Sequence, residues 1–231
     1  KSIKTNISLK TLLDRQFLID DLQISTNEIK VKDAISLIKS FNNSVELFLL
    51  NKLTKSGFLT ADIKLNFDNT GKIKQDYQIN GFIKNGNFNF LNKLKINNLN
   101  FDFDISKDQY ALTKIKTELN NIELSSQLIQ VNKKKDLFLV KGNITTIEKN
   151  FDVEQLSFLF SSFLTNLDMK IIRFSSVNNF SFNINKKLKL NDLNIESQVF
   201  LNQLYIKKNL SILKSYLPAF DEMIKLKNHK V

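Results

Sequence analysis

The sequence predicts a predominantly antiparallel β protein. Three observations predict it: apolar and polar residues alternate with a period of two over long stretches, short polar turns separate those stretches, and Gly and Pro are scarce. Five Gly and one Pro among 231 residues exclude collagen-like, glycine-repeat and Pro-rich linker architectures. A hydrophobic share of 42% beside 25% charged residues supplies enough apolar surface to offset chain entropy, so a folded chain is expected.

The clearest strand lies at 59–67. Leu59, Ala61, Ile63, Leu65 and Phe67 fall on one face, with Thr60, Asp62, Lys64 and Asn66 on the other. Asp68, Asn69, Thr70 and Gly71 then supply turn chemistry. Tyr77, Ile79, Gly81 and Ile83 continue as a strand, and Asn85-Gly86 after them predicts a hairpin, because both residues tolerate positive φ. Leu99, Phe101, Phe103 and Ile105 form the next face. Ile122 and Leu124 start another strand, and a turn at 133–136 precedes Phe138, Val140 and Ile144. Phe180, Phe182 and Ile184 lead to Leu190, Leu193, Ile195 and Val199. Such spacing predicts a meander, with the whole chain 1–231 as one β-rich segment.

Two stretches change period and predict amphipathic helices near 33–42 and 152–168. In the first, Ala34, Leu37, Ile38 and Phe41 recur at helical spacing; in the second, Asp152 and Gln155 make a capping-box-like start. A weak repeat also runs through the chain: an apolar residue, two Asn or Asp, then a restarted alternation. It occurs at 94–102 and 188–196, with shorter echoes at 19–24 and 119–124. Two short polar residues inside an alternating run shift its phase by one, which suits a bulge or bend.

Catalytic and metal chemistry find little support. There is no Cys, and His229 is the single histidine, so neither a zinc site nor a nucleophile–base pair can be completed from these residue types. Asp102, Asp104 and Ser106 resemble the opening of a calcium loop, but Lys107 stands where Gly is needed. No Gly-rich phosphate loop appears. The chain is therefore expected to be no enzyme and to need no cofactor or metal.

The net charge of +11 would suggest a polyanion partner, yet the excess is almost all Lys, with only Arg15 and Arg173. Abundant Lys, Asn, Ile and Phe together are what an AT-rich coding sequence produces. The Phe residues lie in phase with Leu and Ile, as on a buried or lipid-facing surface, so no nucleic-acid partner is expected. The longest apolar run, Leu47, Phe48, Leu49 and Leu50, falls far short of the ~20 residues of a spanning helix. The chain opens on Lys1, and 225–231 begins a new alternation, so a longer parent protein is expected.

The repeated units at 94–102 and 188–196, with the Gly-centred strands around Gly81 and Gly142, resemble the AsmA-like family of bacterial envelope proteins over most of 57–206. That resemblance implies an elongated, curved antiparallel sheet with an open apolar groove. It also implies a periplasmic segment of an inner-membrane-anchored protein that moves phospholipid towards the outer membrane, its membrane contact lying outside this segment. A strand of five to seven residues would span ~17–23 Å, similar to the ~15 Å hydrocarbon of one leaflet. The residues expected to face lipid are Ile63, Leu65, Phe67, Ile79, Leu99, Phe101, Phe103, Phe180 and Phe182. Two other readings of the same alternation are a closed β-sandwich serving as a spacer or protein-binding module, and a Lys-rich polyanion-binding domain.

Overall fold

The computed structural model describes residues 2–7, 19–41, 45–68, 70–74, 76–90, 94–135, 137–151, 156, 168–185, 187, 189–207 and 223–230. They form one open, curved antiparallel sheet with two helices. The strands are β1 (Ser2–Ile7), β2 (Ile19–Ser25), β3 (Ile29–Lys30), β4 (Thr54–Asn66), β5 (Gln78–Phe90), β6 (Leu94–Ser106), β7 (Gln109–Leu119), β8 (Ile122–Lys134), β9 (Leu137–Phe151), β10 (Asp168–Asn185), β11 (Leu190–Lys207) and β12 (Met223–Lys230). Their order in the sheet follows the chain, with β3 set aside as a short partner of β4. The expected meander is present.

The strands are longer than the expected five to seven residues: β6 has 13 and β10 and β11 have 18. Asn and Asp explain the difference. Asn85 adopts φ 52° inside β5. Asn85-Gly86 is therefore not a hairpin; its left-handed residue is absorbed as a bulge, and the register with β6 shifts between Ile83 and Gly86. Asn98 and Asp192 do the same in β6 and β11, with φ near 52° and 53°. At Asn120 and Asn121 both residues have positive φ, and Leu119 pairs directly with Ile122, which is a two-residue hairpin turn. The repeated polar pairs thus mark three places where the ladder slips, at Asp20-Asp21, Asn97-Asn98 and Asn191-Asp192, and one where it reverses, at Asn120-Asn121.

Helix α1 (Val31–Phe41) covers the first predicted helical stretch. Asp33 lies in its first turn and Lys39 in its last, matching the helix dipole. Its buried side is Val31, Ala34 and Ile35, whereas Leu37 and Ile38 are exposed. Of the expected stripe Ala34 faces inward but Leu37 and Ile38 do not, so the inward face is turned towards Val31 and Ile35. Helix α2 (Val45–Leu53), which the period did not reveal, follows and runs into Thr54; the Thr54 hydroxyl is fully buried and donates to the Leu50 carbonyl at 2.7 Å. The second predicted helix, 152–168, lies almost wholly outside the described residues; Leu156 is buried against Ile122 and Phe151. Pro218 and the stretch around it also lie outside them.

Burial concentrates at two places. One is beneath α1, where Gly57 (φ 132°) lets the backbone of β4 approach β5; a methyl there would come 2.9 Å from the Gly86 Cα. The other is the cluster of Ile122, Phe151 and Leu156, against which Leu124, Ile172, Phe174 and Leu204 pack. Between them, among the described residues, the sheet is a single layer. The accessible surface is 16201 Å², against roughly 11,000 Å² expected of a compact protein of 26.8 kDa.

Candidate functional site: the apolar face of the sheet

Residues directly opposite each other on neighbouring strands share a face, so the pairing register sorts the side chains. Starting at β1, Ile3 pairs with Ile24, Ile24 with Ile63, and Ile63 with Ile79. Ile79 pairs with Ile105, Ile105 with Tyr110, and Tyr110 with Val131. Val131 pairs with Val140, and Val140 with Phe182. An unbroken line of apolar side chains therefore crosses the sheet from β1 to β10. At ~4.8 Å per strand it is roughly 38 Å long.

A second line lies beside it. Ala61, Gly81, Phe103 and Leu112 follow in register, then Ile129, Gly142, Phe180 and Ile195. Leu65 stands opposite Leu22, Phe101 opposite Ile83, and Leu99 opposite Gly86. Every nominated residue except Phe67 therefore lies on this one face. Phe67 sits one step beyond β4, in an isolated bridge with Ile73. Phe101 and Phe103 have ring centroids 6.3 Å apart, and Phe180 and Phe182 stack at 5.8 Å.

Exposure shows what covers the face. The nominated residues are all half-buried, as are Ile105, Tyr110, Leu112 and Val131 between them; of the first line only Val140 is buried. A second sheet on top would bury the centre of such a row; here neighbours within the layer provide the shielding. At β11, whose 190–199 half has no partner beyond β10 among the described strands, exposure rises to 54% at Leu193 and 57% at Ile195.

Residues missed by sequence reasoning join the two nominated groups. Strand β7 was not anticipated, and it carries Tyr110, Leu112 and Ile115 across the middle of the face. Its alternation is interrupted by Lys114 at φ 53°, a bulge that brings the Lys114 ammonium 2.7 Å from Asp102 on the opposite, wet face. That contact raises the Lys114 pKa. Asp102 and Asp104 thus belong to the wet face of a strand.

One polar station interrupts the apolar face. The Thr146 and Ser176 hydroxyls share a buried hydrogen bond of 2.7 Å, and the Asn178 amide donates to the Ser176 hydroxyl at 2.9 Å and to the Ile144 carbonyl at 3.2 Å. These groups satisfy one another, which makes them tolerable in apolar surroundings. The wet face carries a shallow recess of about 400 Å³, bordered by Gln130, Lys141, Asn143, Asn179, Asn194 and Glu196. Among the described residues no group of His, Asp and Glu could hold a metal ion, and no helix is long and apolar enough to cross a membrane. The chain matches no protein family, no curated protein and no solved structure.

Proposed function

We propose that this chain is a non-catalytic segment of a cell-envelope protein that carries phospholipid acyl chains on its open apolar face. In this reading it is the periplasmic part of an inner-membrane-anchored protein of AsmA-like type, and lipid passes along it between the inner and outer membranes. It requires no cofactor, metal or nucleic acid.

The observation that carries the reading is the in-register line from Ile3 to Phe182, half-buried from Ile24 to Val131 and at Phe182, with no covering layer among the described residues. Such a row in water is unfavourable, and contiguous apolar surface of this extent calls for an apolar occupant. Each methylene of an acyl chain withdrawn from water is worth about 0.8 kcal/mol. Along β6, Leu99 to Ile105 spans ~20 Å, comparable to the ~15 Å hydrocarbon of one leaflet. A chain lying along the strands would therefore stay within the apolar files.

The test is transfer of fluorescent phospholipid between vesicles by the purified protein, with Phe103→Glu as the variant. An unpaired carboxylate on the file costs several kcal/mol against an apolar ligand. The variant is expected to keep its far-UV circular dichroism and lose transfer; unchanged transfer would refute the reading.

A further inference from the structure

We infer that the rim of the apolar face built from Tyr77, Tyr110, Lys107 and Lys133 holds the phosphate headgroup of a lipid whose acyl chains run along the adjoining files. This rests on the lipid-carrying reading above and adds the orientation of the lipid and the chemistry that fixes it.

The meander places the β4–β5, β6–β7, β8–β9 and β10–β11 turns at one end of the sheet. Each brings exposed lysine there: Lys72, Lys107, Lys135 and Lys187 respectively, with Asp76 and Asp108 as exposed acids. The other end also carries exposed lysines, Lys55 and Lys95, but some of its charges are paired. Lys149 is paired with Glu123 at 3.0 Å and Arg173 with Glu148 at 2.6 Å, while the β7–β8 turn is the neutral Asn120-Asn121.

The apolar files end in polar tips at the basic rim. On β8 the alternation Ile129, Val131 continues into Lys133, which stands opposite Phe138. Beside it, Tyr110 closes the file of Leu112 on β7, and Tyr77 that of Ile79 before β5. The Lys133 N–H donates to the Asp108 carbonyl at 2.8 Å, which ties the lysine to the turn that carries Lys107. Tyr77 lies two residues before Ile79, whose partner Ile105 pairs with Tyr110, so both phenols lie towards the same end of the face; burial raises the Tyr77 phenol pKa. Phenols and lysines at the border of an apolar surface are what a lipid–water interface selects: an apolar body lies against the chains while the polar end reaches the phosphate. Lysine here supplies a point charge to the phosphate, with no geometric demand on the rest of the headgroup.

The probes are dioctanoyl phosphatidic acid and dioctanoylglycerol, which share acyl chains and differ in the phosphate, below their aggregation concentrations. The intact chain is titrated beside Lys107→Gln/Lys133→Gln, with Lys187→Gln/Lys189→Gln as a charge-matched control elsewhere on the rim. The expected result is preference for the phospholipid, a loss on the order of tenfold in the double variant, little change in the control, and unchanged dioctanoylglycerol affinity. Equal affinity for both probes, or equal loss in the control, would overturn the headgroup assignment while leaving the acyl-chain reading intact. Failure of both probes to bind would overturn both. A double variant that loses only adhesion to anionic vesicles, keeping its affinity for the soluble phospholipid, would assign the rim to a bilayer surface and overturn the inference.

Discussion

Phe103 stands directly opposite Gly81 across β5 and β6, and a methyl group at 81 would come 2.9 Å from its ring Cζ and collide with the Thr60 carbonyl oxygen. The glycine is thus a seat for the neighbouring ring on the apolar face. The backbone of β4 cannot withdraw without breaking its ladder to β5. Gly81→Ala is expected to destabilise the protein by about 1–3 kcal/mol, as overpacking does. A urea titration measures it; a midpoint equal to or above that of the parent would show that the ring does not occupy this place.

Phe151 and Phe101 provide the contrast between covered and open parts of the same face. Phe151 is 5% exposed, its ring 4.5 Å from that of Phe174 and within the cluster around Leu156. Phe101 is half-buried in the single layer. Phe151→Ala should cost about 3–5 kcal/mol, and Phe101→Ala less than about 2 kcal/mol because less area returns to water. Equal losses in equilibrium denaturation would mean that Phe101 is covered.

Asp68 organises the β4–β5 turn. Its carboxylate accepts from the Thr70 hydroxyl at 2.6 Å, from the Thr70 N–H at 2.8 Å and from the Lys72 N–H at 3.0 Å. The Thr70 hydroxyl first, then the Lys72 and Thr70 amides, lower its pKa below the ordinary 3.8. A depressed folded-state pKa means stability that is present above 3.8 and lost as pH falls through the lower folded value. The parent should therefore be more stable than Asp68→Ala at neutral pH, with the gap narrowing in acid below the ordinary carboxylate range. Thermal melts across that range measure it, and a gap that widens in acid would contradict the sign.

The alternation at 59–67, 99–105 and 180–184 was readable because one face of each strand meets water and the other does not. Leu99, Phe101 and Phe103 could therefore be assigned to one face before any register was known. Which strands join was not readable. Pairing of Val131 with Val140 and Val140 with Phe182 depends on register, and register here is altered by left-handed residues at Asn85, Asn98, Lys114 and Asp192. Asn98 and Asp192 sit within the repeated polar pairs, so a signal for their bulges existed. Lys114 has no such signature, and its bulge hid β7. Asn85-Gly86 was misread because the same backbone conformation serves a hairpin and a bulge, and only the strand that follows distinguishes them. The rim of Tyr77, Tyr110 and Lys133 was invisible for a related reason: it is defined only once the strands β5 to β8 take their order in the sheet.

The face itself is best interrogated by a photo-crosslinking side chain at position 101, on the apolar face, compared with the same side chain at position 102 on the wet face. Both variants would be expressed and irradiated in cells, and the adducts identified by mass spectrometry. An acyl-chain-carrying face predicts phospholipid adducts at 101 and none at 102. A folded protein giving no lipid adduct at 101, or equal adducts at both positions, would contradict it.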